Sequence, residues 1–165
     1  MKMLAAMAAV ALLWPTTSSF AKNELVILSQ ESFLNVARIE VDGDANSLTI
    51  LQEHKGGGAA NVLDVSLTGD GNGGPLGAAF TGAALSAGLQ PGTITQRGFG
   101  NMMAVDVTGS RNLFAFAQNG SENALSGTIT GMNNQAVVSQ TGYNNFTAFS
   151  QTGNGNTISV MQTSW

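Results

Sequence analysis

The sequence predicts an all-β chain: a β-solenoid of stacked strand-turn-strand repeats, about 22 residues each, forming two parallel sheets in an amyloid-like stack. Three observations carry this. Gly-x-x-Asn recurs six times between Gly98 and Asn156, each copy beginning eleven residues after the last. Glutamine stands two places before the glycine at Gln96, Gln118, Gln140 and Gln162, twenty-two residues apart, so two kinds of strand alternate. Between the corners polarity alternates, as in Leu113–Asn119, and the charges within the strands fall on one parity.

The corners come first. Gly and Asn tolerate the positive φ of tight turns. The turn glycines are Gly43, Gly58, Gly69, Gly98, Gly109, Gly120, Gly131, Gly142 and Gly153, and the turn asparagines that close the corners are Asn35, Asn46, Asn61, Asn101, Asn112, Asn123, Asn134, Asn145 and Asn156. At Asn35 serine replaces the glycine, and at Glu53–Gly57 the rhythm slips. The seven residues between corners make a strand of roughly 23 Å at about 3.3 Å per residue.

The strands come next. Positions two, four and six after each asparagine share its face. They hold Leu48, Ile50 and Gln52 in one strand, Leu63, Val65 and Leu67 in another, and Phe114, Phe116 and Gln118 in a third, while Arg38, Glu40, Asp64 and Asp106 take the opposite face. The inner face is thus apolar in its middle and amide at its ends. A buried amide left unpaired costs about 1–3 kcal/mol. Stacked in register about 4.8 Å apart, each amide can donate to one neighbour and accept from the other. Gln30, Gln52, Gln96, Gln118, Gln140, Gln151 and Gln162, with the turn asparagines, are therefore the candidate stacking and assembly ladder. The chain stops at Trp165 in mid-repeat without a charged or proline-rich cap, so open ends that recruit further strands are expected.

Composition bounds the function. The chain has 165 residues, enough for one domain, and only 10% are charged. A net charge of −4 argues against a nucleic-acid partner held by phosphate contacts. With no cysteine and one histidine, the usual nucleophile–base pairs lack parts, and neither an enzymatic role nor a cofactor, metal or small-molecule substrate is expected. Four segments are expected. Residues 1–21 read as a secretory signal, with Lys2, an apolar run and Ser19-Phe20-Ala21. Residues 22–72 carry degenerate repeats, 73–92 an inserted Gly/Ala/Pro loop with room for one poor strand, and 93–165 the regular repeats.

Gln140-Thr141-Gly142-Tyr143-Asn144-Asn145-Phe146-Thr147, continuing to Gln151, resembles the curlin repeat of bacterial curli fibres, with threonine where that repeat has alanine. Asn134-Gln135-Ala136, continuing to Gln140, carries the second half of it, and Thr95–Asn101 looks like a stretch of the major curlin subunit. The resemblance is strong after residue 93 and loose before it. It implies a secreted subunit that assembles with further copies of itself into extracellular amyloid at the cell surface, for biofilm and adhesion. It also implies a second curlin subunit as partner and an outer-membrane export pore. Whether the chain is the bulk subunit or a minor nucleator stays open, because Val107 and Ile129 interrupt the glutamine pattern. A non-polymerising β-solenoid adhesin is the alternative from another class.

Other patterns take plainer readings. Asp42-Gly43-Asp44-Ala45-Asn46 with Glu53 mimics a calcium loop, but Ser47 stands where that loop needs glycine, and a repeat corner is the reading. His54 reads as a loop residue, and Phe114, Phe116 and Phe149 as core. Arg97, Asp106, Arg111 and Glu122 are solvated charges that can double as gatekeepers against premature assembly.

Overall fold

The computed structural model describes residues 23–31, 35–75 and 77–165, the first strand as backbone alone. The expected signal segment, 1–21, lies outside the described residues. Eleven strands are described: β1 (Glu24–Glu31), β2 (Asn35–Asp42), β3 (Ser47–His54), β4 (Asn61–Thr68), β5 (Thr93–Phe99), β6 (Met102–Ser110), β7 (Leu113–Ser121), β8 (Ala124–Met132), β9 (Gln135–Tyr143), β10 (Phe146–Thr152) and β11 (Thr157–Thr163).

Odd strands form one sheet in the order β1-β3-β5-β7-β9-β11, and even strands form the other in the order β10-β8-β6-β4-β2. The pairings are parallel, and equivalent residues of successive repeats lie side by side: Gln96 beside Gln118 and Gln118 beside Gln140. One odd and one even strand make a turn of the coil, which is the β-solenoid the two sequence periods predict. β1 slips by one residue between Leu28 and Gln30, which restores Gln30 to its place beside Gln52.

The strands' alternation decides the packing. Inward positions such as Ile50, Leu63, Val65, Val107, Phe114, Ile129 and Val138 form one core between the sheets. Outward positions of the even sheet, such as Arg38, Glu40 and Asp64, are exposed. Phe116 lies 5.8 Å from Phe114 and 5.9 Å from Phe149, ring centre to ring centre. The Phe149 ring lies over Gly127, its register partner, where a Cβ would overlap it. A glycine on the inner face is thus a socket for the ring of the next turn.

At the regular corners the chain passes closest to itself. Gly120 has φ 127°, and a Cβ built on it would overlap the carbonyl of Gly142 in the next turn. Two residues on, the backbone is left-handed again, and non-glycine residues hold that place at Arg111, Glu122, Asn133 and Asn144 (φ 56–57°).

One corner differs from expectation. Gly58 does not act as a turn glycine: the register sets His54 in the place of Gly98, and the positive φ falls at Gly56 (117°). Four extra residues make this corner a loop that folds over Phe99, and a Cβ on Gly58 would overlap that ring. His54 Nε2 lies 3.3 Å from the Gly58 carbonyl within it.

The 73–92 segment contains no strand among its described residues; its regular element is a short 3-10 helix, Gly82–Ala87. It lies on the outer face of the odd sheet, where Phe80 and Ala84 bury Ala115 and Val137 in a second small core, with Leu89 and Leu113 beside them. Gln135 fastens it, accepting from Thr81 N at 2.8 Å and donating to Thr81 Oγ1 at 2.6 Å. Among the described residues no helix is long and apolar enough to cross a membrane.

Candidate functional site

Three columns of inward amides run along the stack as continuous ladders. In the glutamine ladder each Nε2 donates to the Oε1 of the next turn: Gln52 to Gln96 (2.8 Å), Gln96 to Gln118 (2.9 Å), Gln118 to Gln140 (2.9 Å) and Gln140 to Gln162 (3.0 Å). The second Nε2 hydrogen goes to a carbonyl of the facing strand, as from Gln118 to Met102 (2.9 Å) and from Gln140 to Ala124 (3.0 Å). That carbonyl fixes which end of each amide is nitrogen. Gln52, Gln96, Gln118 and Gln140 are completely buried. Gln30 holds the register position below Gln52; its side chain lies outside the described residues.

The asparagines form two ladders, one at each corner of the coil. Asn35, Asn61, Asn101, Asn123 and Asn145 make the first; in it Asn123 donates from both N (3.2 Å) and Nδ2 (3.0 Å) to Asn101 Oδ1. Asn46, Asn72, Asn112, Asn134 and Asn156 make the second, where Asn134 donates to Asn112 Oδ1 at 3.1 Å from both nitrogens. The backbone N–H demands an acceptor and so fixes each Oδ1. Inside the stack Nδ2 also reaches the turn glycine one turn further on, as Asn101 to Gly120 O (2.9 Å) and Asn112 to Gly131 O (3.0 Å). At the ends Asn35 reaches Gln52 O and Asn145 reaches Ser164 Oγ. From amide to amide, the asparagines donate toward the N-terminal end of the stack and the glutamines toward the C-terminal end. The two ends are therefore chemically different faces.

Gln151 does not join the glutamine ladder in which it was expected. It lies on the even sheet beside Ile129, in the column of Val41, Leu67 and Val107. Its Nε2 donates to Gln135 O at 3.3 Å, and its Oε1, buried, has no hydrogen-bond partner. An isoleucine below has nothing to donate, which is why the ladder chemistry cannot extend here.

Two ladder members lie outside the sequence expectation. Asn72 links Asn46 to Asn112, and Gly69-x-x-Asn72 is a full copy of the corner motif that marks it. Asn23 begins the second ladder by accepting from Asn46 N at 2.9 Å. No glycine precedes it at corner spacing, so no sequence signal points to it.

The outer face carries the charges. Glu53 accepts from Lys55 (3.0 Å) and Arg97 (3.3 Å), and the Lys55 hydrogen bond, ahead of the Arg97 charge, holds its carboxyl below the usual value. Tyr143 donates its hydroxyl to Glu122 (2.8 Å), which raises the phenol above its ordinary value. Asp42–Asn46 is the corner between β2 and β3, where Asp44 N donates to Asp70 Oδ1 at 2.9 Å.

What the arrangement does within the chain is join each turn to the next through like amides. β10 and β11 each have one edge paired, to β8 and β9, and an opposite edge that pairs with no described strand. Residues 131–163, which span the corner after β8 and the strands β9 to β11, match the family model of the curlin-associated repeat. No curated protein matches the chain, and no solved structure does.

Proposed function

We propose that this chain, which carries the curlin-associated repeat over residues 131–163, is a structural subunit of an extracellular curli-like amyloid fibre. Growth is by end-to-end templating, and the fibre serves biofilm matrix and adhesion. The observation that carries the reading is the unfinished hydrogen bonding of the last described turn. There the β10 and β11 edges pair with no further described strand, and among the described residues the three ladders reach as far as Gln162, Asn145 and Asn156. A strand continuing the even sheet on β10 and the one that follows it continuing the odd sheet on β11, supplied in the same register by another copy, would pair both edges. Within the three ladders each amide between two turns is satisfied by a like neighbour, so the end that lacks one can receive it from another copy.

The segment plan belongs to the same reading: residues 1–21 are removed on export, 22–72 and 93–165 supply the turns, and 73–92 is lateral decoration. An outer-membrane pore and a second curlin subunit complete the route to the cell surface. The test is time-resolved assembly of purified residues 22–165. A sigmoidal rise in amyloid-dye signal, abolished lag on seeding and a fibre reflection near 4.8 Å are expected. A soluble solenoid that stays monomeric at every concentration would instead establish the adhesin reading.

A further inference from the structure

We propose that successive copies in the fibre are set half a turn apart about the stack axis, so that β1 of each added copy continues the even sheet on β10 and its Gln30 comes to lie on Gln151. The inference rests on the reading that residues 22–165 grow end to end by templating.

The strand count sets the phase. Six described strands stand in the odd sheet and five in the even, so the coil makes five and a half turns and its two end strands, β1 and β11, lie in the same sheet. The next place along the coil after β11 is the one on β10. A copy that lays its own odd sheet over this one's odd sheet skips that place and leaves a strand missing from the even sheet. A copy rotated by half a turn fills it: β1 goes on β10, β2 on β11, and each later strand follows in order.

The coil admits this rotation because its two halves are built alike. The corner motif recurs every eleven residues, which is half a repeat. The two asparagine ladders make the same bonds. Asn123 donates from N and Nδ2 to Asn101 Oδ1 and from Nδ2 to Gly142 O; Asn134 donates in the same way to Asn112 Oδ1 and to Gly153 O. The rotated copy therefore sets Asn23 over Asn145 and Asn35 over Asn156, an asparagine on each asparagine end.

Gln151 is the residue whose placement the half turn explains. Inside its own molecule it ends an apolar column of Val41, Leu67, Val107 and Ile129, is only 3% exposed, and leaves Oε1 without a partner. It stands six places after Asn145, as Gln52 stands after Asn46, and Gln30 holds the register position beside Gln52. Gln30 of the rotated copy thus falls on Gln151. With Nε2 held on Gln135 O, the other Nε2 hydrogen is left for Gln30, as Gln118 Nε2 spans from Met102 O to Gln140 Oε1. Gln151 becomes the first rung of the next copy's glutamine ladder. Gln162 meets Val41, which stands six places after Asn35. There Oε1 already accepts from Gln140 and Thr147, and Nε2 donates to Phe146 O, so a single hydrogen is what that end gives up. At about 4.8 Å per turn each copy adds about 26 Å, and copies in the same orientation recur about every 53 Å.

The test uses thiols, which the chain lacks. Glu31 holds the register position beside Glu53, seven places after a corner asparagine, and Thr152 and Thr163, both exposed, hold that place in β10 and β11. Within one molecule β1 lies at the opposite end of the stack from β10 and β11, so a short thiol-to-thiol crosslinker joins these places only between copies. Fibres of Glu31→Cys with Thr152→Cys are expected to give a covalent ladder on a denaturing gel, and fibres of Glu31→Cys with Thr163→Cys none. The reverse pattern, or a ladder from neither set of fibres, overturns the half turn and leaves templated growth standing. Should the cysteine variants not assemble, strand-resolving micrographs of wild-type fibres decide: successive 73–92 segments are expected on opposite sides of the stack once its twist is subtracted, and a one-sided row overturns the inference. Wild-type chain that never forms fibres overturns both readings.

Discussion

The same substitution at two glutamines of the inner face should have opposite effects on stability. Gln118 is completely buried, accepts from Gln96 Nε2, and donates to Gln140 Oε1 and Met102 O, all at 2.9 Å. Leucine keeps much of the volume but leaves a Gln96 hydrogen and Gln140 Oε1 without partners. At about 1–3 kcal/mol for each buried group so orphaned, Gln118→Leu should destabilise the folded chain by about 2–6 kcal/mol. At Gln151 the same change removes an acceptor that is already unpartnered and loses one 3.3 Å bond to Gln135 O. Gln151→Leu should therefore be neutral or stabilising, by up to about 2 kcal/mol. Urea titration of the folded chain, followed by far-ultraviolet circular dichroism, reads both. A second comparison separates ladder loss from a general packing effect. Gln118→Leu with Gln140→Leu orphans no more groups than Gln118→Leu alone, because Gln162 Oε1 keeps the Thr147 hydroxyl at 2.7 Å. The double variant should cost about as much as the costlier single. Equal penalties at Gln118 and Gln151, or strictly additive penalties at Gln118 and Gln140, would refute the argument that like neighbours satisfy these amides.

Other perturbations probe the corners, the surface and the insertion. Gly120→Ala sets a Cβ against the Gly142 carbonyl at φ 127° and should cost at least about 1–3 kcal/mol, seen as a lower urea midpoint. Arg111→Gly relaxes a left-handed residue at φ 56° and should raise the midpoint by up to about 1 kcal/mol. Tyr143 is the one tyrosine, so its phenolate absorbance should titrate above 10.0 and move back toward it in Glu122→Gln. Because the folded chain holds that proton more tightly, this contribution to stability is present below the ordinary phenol value and fades as pH rises through the raised one. The lowered Glu53 carboxyl has the opposite sign: its contribution is present above 4.5, fades as pH falls through the lowered value, and should be missing from the pH profile of Glu53→Gln. Phe80→Ala should open the 73–92 segment to limited proteolysis while the two-sheet circular dichroism signal persists, because Phe80 covers Ala115 and Val137 rather than the main core.

Local preference and periodicity determine a great deal of this protein. The eleven-residue recurrence of Gly-x-x-Asn places the corners, the parity of Leu48, Ile50 and Gln52 chooses the inner face, and the recurrence of Gln96, Gln118 and Gln140 sets the register. These were legible because in a stack of equivalent turns the neighbour of each residue is its own repeat, so sequence distance maps directly onto space.

That mapping fails where the repeat is interrupted, and there only the tertiary structure decides. Gln52 and Gln96 are forty-four residues apart, two repeats by counting, yet they are bonded neighbours at 2.8 Å. Four extra residues at the His54 corner and eighteen between Asn72 and Thr93 add up to one repeat length and loop out without adding a turn. The twenty-two-residue count sets Gln151 beside Ile129 rather than with Gln140 and Gln162; that its Oε1 is buried there without a partner is visible only in the fold. The burial of Val137 under Phe80, fifty-seven residues away, is equally invisible, because a solenoid's outer face reads as solvent until a distant segment is folded onto it. Period defines the interior because each turn meets its like; the exceptions lie where unlike segments meet, and those contacts exist only in three dimensions.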